Sequence, residues 1–133
     1  GGEYNIPHGR TNAILLQHII RYNAKDPQKH AIFPKYDYFR AHEDYAQIAR
    51  DLGFAGNTTE ELVEALVLEI IQLGKDVGID MSLKAQGVTQ QVLDSTVDRM
   101  AELAYEDQCT TANPKEPLIS ELKQIIIDAY EGV

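Results

Sequence analysis

The segment "NTTEELVEALVLEIIQLGKDVG" constrains this chain most. Val63, Leu66, Val67, Ile70 and Leu73 recur there at three- and four-residue steps, the period of one helix face and not of a strand. Thr58 followed by Glu61 has the spacing of a capping box, and Gly78 stands where the helix should stop. Gly74 lowers local helix propensity by up to about 1 kcal/mol, which so long an element absorbs. A helix with one apolar face needs partners of the same kind.

The rest of the chain supplies them. From Thr11 to Asn23 apolar residues crowd almost every side, as in a helix buried on most faces. Tyr45, Ile48, Ala49 and Leu52 mark a stripe that ends at Gly53, a C-cap position. "MSLKAQG" reads as a short turn of helix capped by Ser82. Leu93, Val97, Met100, Ala101 and Ala104 give a further face after Thr89, and Leu118, Leu122, Ile125, Ile126 and Ala129 another between about Pro117 and Tyr130. No strand-like alternation competes and no internal repeat is visible. The expected fold is an all-α bundle of five to six helices in one domain, residues 1–133.

Composition narrows the function classes. At 133 residues, 44% of them hydrophobic and 25% charged, the chain can bury a real core and has no disordered signature. A net charge of −9 argues against nucleic acid or an anionic membrane as partner, since both ask for a basic face. No apolar run approaches the roughly 20 residues of a membrane helix. Cys109 is the one cysteine, so no internal disulfide forms, which suits a reducing cytoplasm. The first methionine is Met81, so the chain is expected to be a piece of something longer.

Three places carry chemistry. His8 lies between Pro7, which restricts the backbone, and Gly9, which frees it, at the entrance of the first helix. The positive end of a helix dipole disfavours an imidazolium, and the neutral ring is the form that binds transition metals. On spacing alone, a cap or a packed ring is the commoner role. His18, His30 and His42 form no i, i+4 pair with His8 or with each other, so a metal at His8 would need ligands from elsewhere.

The second place is "EDQCTTANP", a polar connection holding Cys109. No histidine is near the thiol in sequence and Asp107 repels a thiolate, so a connecting loop or a pocket wall fits better than covalent catalysis. The third is "FPKYDYF", where Phe33, Tyr36, Tyr38 and Phe39 crowd an irregular stretch. Such a cluster either packs onto its own domain or anchors a partner. A free-standing helical interaction module, docking through these aromatics, is the competing reading from another class.

The residues at both ends have a familiar look. "NIPHGRTNAILLQHIIRYNA" resembles the segment of iron-containing alcohol dehydrogenases that starts at the last metal-binding histidine and enters the first long helix of their helical domain. "LAYEDQCTTANPKEPLISELKQI" resembles the far end of that domain, and "YAQIARDLG" and "LGKDVGIDMSLKAQGV" follow in the family's order. The long connection with "FPKYDYF" is most similar to the bifunctional aldehyde-alcohol dehydrogenases. The resemblance implies the helical, metal-side domain of a dehydroquinate synthase-like fold.

It also implies, residue by residue, that His8 is the last metal ligand, for Fe2+ or Zn2+. An aspartate and two further histidines, and the domain that binds NAD, would lie upstream. Cys109 would fall near the substrate cleft. His18 matches a position that often holds histidine after proline, but Gln17 replaces that proline, and His18 is not counted as a ligand. Lys115 stands where arginine is common, keeping the charge without the bidentate fork. The implied enzyme is a cytoplasmic homo-oligomer that interconverts small aldehydes and alcohols. No residue of this stretch is assigned as a catalytic acid or base, and the chain alone is expected to be inactive.

Overall fold

A computed structural model describes residues 2–26 and 39–132. Among the described residues five α-helices run in chain order: α1 (His8–Ala24), α2 (Ala41–Asp51), α3 (Thr59–Asp76), α4 (Gln90–Glu106) and α5 (Ile119–Glu131), with a short 3-10 helix (Gln108–Ala112) between the last two. The described residues include no strand. His30, Phe33, Tyr36 and Tyr38 lie outside them. Phe39 is described, and its ring stacks on His42 at a centroid distance of 4.8 Å.

α1 is the spine. It packs against α2, α3 and α5, while α2 pairs with α3 and α4 with α5. Its first half feeds one apolar cluster, where Ile14 meets Leu83, Val88, Leu93, Val97 and Ile126. Its second half feeds another, where Ile20 meets Ala46, Ala49, Leu62, Leu66 and Val67. Two helix pairs thus close on opposite ends of one rod, but Leu16 and Ile19 stay exposed, so α1 is buried on fewer sides than its apolar residues suggest. Ion pairs tie the edges: Arg21 to Glu64 at 2.7 Å between α1 and α3, and Lys123 to Asp98 at 2.6 Å between α5 and α4.

The caps follow the sequence with one exchange. Thr58 accepts the Glu61 N–H at 3.1 Å, but the Glu61 carboxylate reaches back to the Asn57 N–H and not to Thr58. The reciprocal contact occurs instead at α5, where Glu121 accepts the N–H of Leu118 at 2.9 Å. Ser82 accepts the Ala85 N–H as expected. Its segment is a turn and not a helix, and it has work of its own. Leu83 and Lys84 donate their N–H groups to the carbonyls of Ala129 and Tyr130, satisfying the open end of α5. Gly132 lies at φ +83 beside this turn, and a Cβ there would sit 2.8 Å from the Met81 carbonyl oxygen. Gly74 has a reason too: a Cβ on it would overlap the Met81 thioether.

The buried faces differ from the predicted stripes in two helices. In α2 the buried residues are Ala41, Ala46 and Ala49, while Ile48 and Leu52 stay exposed. Small residues face α3 because the two helices approach closely, and the larger side chains flank the contact. In α3 the inner face is Leu62, Val63, Leu66, Val67 and Gly74, with Leu73 exposed. Leu118 is likewise exposed, as the N-cap residue of α5. The α4 face is as read, with Leu93, Val97 and Ala101 buried.

Candidate functional site

His8 is the first residue of α1, with Pro7 at the N-cap. The Pro7 carbonyl accepts the Thr11 N–H at 3.0 Å, which closes the first turn. Two anchors fix the chain just before it. Ile6 is buried in the core, and the Tyr4 hydroxyl bonds to the Thr96 hydroxyl of α4 at 2.7 Å. Between them Asn5 takes φ +55, a left-handed conformation that asparagine tolerates. The outcome is an exposed imidazole on a fixed backbone, its Nε2 at 3.2 Å from Asn12 Nδ2.

This donor fits a metal as one ligand of a set: it is solvent-accessible, and an exposed amide is its one described partner. Among the described residues no group of three or more histidine, cysteine, aspartate or glutamate side chains is placed to hold a metal ion. His8 is not among the residues that line the cavity beside Cys109. Cys109 is exposed at the rim of an apolar hollow of about 630 Å³, whose walls include Leu15, Ile19, Pro117, Leu122 and Ile126. Leu15 and Ile19 sit seven and eleven residues along α1 from His8, about 10 and 16 Å of helix rise. Asp107 caps the 3-10 helix by accepting the Cys109 N–H at 2.7 Å. Its hydrogen bond to the thiol, and then its charge, push the Cys109 thiol up, which disfavours the nucleophilic thiolate.

His18 lies on the other half of α1, 5% exposed, on a cleft of about 620 Å³ shared with Arg21, His42, Lys115 and Asp128. Burial lowers its basicity; the Asp128 carboxylate acts the other way and the Arg21 guanidinium with the burial. The folded ring therefore stays neutral at a pH where the unfolded chain takes up a proton. Stability is full above the ordinary value of 6.5 and falls as the pH drops below it. Denaturant melts between pH 7.5 and 5 are expected to show this loss, and His18→Leu should reduce its slope. An unchanged slope would assign the acid sensitivity to other groups.

The polar stretch after Cys109 holds a structural site that spacing did not reveal. Lys115 is 5% exposed, and its ammonium donates to the carbonyls of Tyr22 and Lys25, both at 3.0 Å, at the C-terminal end of α1. It also lies 4.1 Å from the centre of the Tyr22 ring. Asn113 donates to Asn23 Oδ1 at 2.9 Å, and Asn23 in turn donates to the Tyr45 hydroxyl at 3.3 Å. Burial, and next the neighbouring Glu121, raise the Tyr22 phenol well above its ordinary value, so it stays protonated. The stretch from Asn113 to Lys115 is thus a clasp over the end of α1. The excess of polar residues before the last helix was the one signal for it.

The described residues form an all-helical domain whose first long helix opens on a Pro-His-Gly corner. The sequence matches the model of the Fe-containing alcohol dehydrogenase family, C-terminal, over residues 1–130, and the chain belongs to that family. It is 46% identical over 132 residues to the aldehyde-alcohol dehydrogenase of Streptococcus pneumoniae (serotype 4), covering 99% of this chain and 15% of that protein. The bifunctional aldehyde-alcohol dehydrogenase of Escherichia coli K12 is 44% identical over 135 residues, covering 99% of this chain and again 15% of the relative. Among solved structures, the iron-containing alcohol dehydrogenase of Thermococcus thioreducens superposes with a TM-score of 0.73 at 31% identity, over 96% of this chain and 29% of that one. The chain therefore spans under a sixth of the length of these two aldehyde-alcohol dehydrogenases. No helix among the described residues is long and apolar enough to cross a membrane.

Proposed function

We propose that this chain is the helical, metal-side domain of an iron-dependent, NAD-linked alcohol dehydrogenase that interconverts small aldehydes, acetaldehyde foremost, and primary alcohols in the cytoplasm. The observation that carries the reading is the family match over residues 1–130 together with an accessible His8 at the corner where the resemblance expects a ligand. His8 offers one lone pair to Fe2+, or to Zn2+ in its place. The remaining ligands, an aspartate and two histidines, and the nucleotide-binding domain belong to the rest of the parent protein. The metal when bound supplies Lewis-acid polarisation of the substrate carbonyl, and hydride exchange is the chemistry of NAD.

This chain's own part is to hold and orient. Ile6, Tyr4 and the first turn of α1 fix the ligand's backbone, so only side-chain freedom is left to lose on coordination. The hollow beside Cys109, walled by Leu15, Ile19 and Pro117, is apolar enough to take the alkyl portion of a small substrate. One ligand and no cofactor domain make the 133-residue chain inactive alone. In the parent, self-association into a homo-oligomer is part of the same reading.

The test is His8→Ala in the complete enzyme. Metal content by elemental analysis is expected to fall to background. Aldehyde reduction should drop by more than ~100-fold, since Lewis-acid stabilisation is worth several kcal/mol. A variant that keeps its metal would overturn the assignment.

A further inference from the structure

Asn12 lies one helical turn beyond His8 on the same exposed face of α1, and its Nδ2 is 3.2 Å from His8 Nε2. A carboxamide nitrogen donates and does not accept, so Nε2 must be the acceptor. A neutral ring that accepts at Nε2 carries its proton on Nδ1. It then has a single lone pair, and Asn12 holds it.

We propose that Asn12 is a latch on the metal-ligating nitrogen. In the metal-free domain it fixes His8 as the Nδ1–H tautomer and aims the lone pair, and a metal ion gains that lone pair only by displacing the amide. The proposal rests on His8 being a metal ligand. Tautomer selection puts the proton on the nitrogen that the metal does not use, which favours ligation. The hydrogen bond itself competes with the metal, which opposes it. The second effect is the larger for a bond made in full before the metal arrives. A net hydrogen bond of ordinary strength corresponds to roughly a two- to tenfold weakening of the metal. Asn12 is a positioning residue by this account, since it touches the ligand and not the reacting atoms.

Two readouts on the 133-residue chain test it, neither of which needs activity. In long-range 1H–15N spectra at pH 8, His8 is expected as the Nδ1–H tautomer. Asn12→Ala should return it toward the Nε2–H form that an unconstrained side chain prefers. Asn12→Asp, which offers an acceptor in place of the donor, should move it fully there. In a titration with Zn2+ alone, the His8 resonances of Asn12→Ala should shift at a two- to tenfold lower concentration than those of the wild type. Alanine suits an exposed helical position, so the variant should fold, and unchanged amide spectra elsewhere verify that. An Nε2–H ring in the wild type, or equal zinc midpoints, would overturn the latch while leaving the His8→Ala test of the complete enzyme intact. Retention of metal in that His8→Ala enzyme would overturn the ligand reading, and the latch with it, whatever the tautomer.

Discussion

Lys115→Met is expected to lower the unfolding free energy by about 2–3 kcal/mol, the range for losing hydrogen bonds that a charged donor makes in a buried place. The amine satisfies two carbonyls at the end of α1 and opposes the negative end of that helix's dipole. Methionine has similar length and packs over the Tyr22 ring, so the substitution isolates the polar contribution from the stem's packing. Removal leaves the Tyr22 and Lys25 carbonyls without the ammonium and loosens the clasp that Asn113 makes with Asn23. Lys115→Arg is the control: the fork has donors enough for both carbonyls, and most of the stability should remain. Urea melts of the three proteins decide it. Equal midpoints for the wild type and Lys115→Met would show that the desolvation of the amine cancels its bonds.

Gln17→Met should act in the opposite direction, raising stability by about 1–3 kcal/mol, the cost of burying an amide without partners. Gln17 has no exposed surface, and neither its Oε1 nor its Nε2 has a hydrogen-bond partner among the described residues. Methionine keeps the unbranched shape and drops both polar atoms, so it fills the same space without a cavity or an overpacked core. The measurement is again the denaturation midpoint, read at pH 7.5, where the neighbouring His18 contributes no acid loss. A lower midpoint would show that the amide has partners that the packed helices do not supply.

Taken with the His18 titration, these changes all act on α1 or its end, and their signs differ for a physical reason. His18 and Gln17 are polar side chains enclosed by the bundle, and enclosure penalises them. Lys115 is enclosed as well, yet its ammonium is met by the carbonyls of Tyr22 and Lys25. Burial alone decides nothing about a polar residue; its partners do.

The helices themselves were legible because periodicity is local. Val63, Leu66 and Val67 mark the inner face of α3, and Leu93, Val97 and Ala101 that of α4, without knowledge of any other segment. Thr58 and Gly78 mark the ends of α3 by chemistry that acts within a few residues. His8 stood out for the same reason, as a proline-glycine corner shapes the backbone whatever packs nearby. Pairings across the chain were not legible. The contacts of Lys115 with Tyr22 and Lys25 join residues 90 or more apart. The α2 stripe was misread because whether Ala46 or Ile48 faces inward depends on how closely α3 approaches.

By itself, then, the sequence determined an all-helical domain, its caps, the corner that presents His8 and the family to which those residues belong. Each rests on forces that act within a turn or two of helix. The tertiary structure alone decided that α1 would be shared by two apolar clusters, that Lys115 would close its end, and that Gln17 would be buried without partners. It also left His8 out of the lining of the hollow beside Cys109. These outcomes depend on which surfaces meet, and the free energy of such meetings belongs to pairs of distant residues and not to any one stretch of chain.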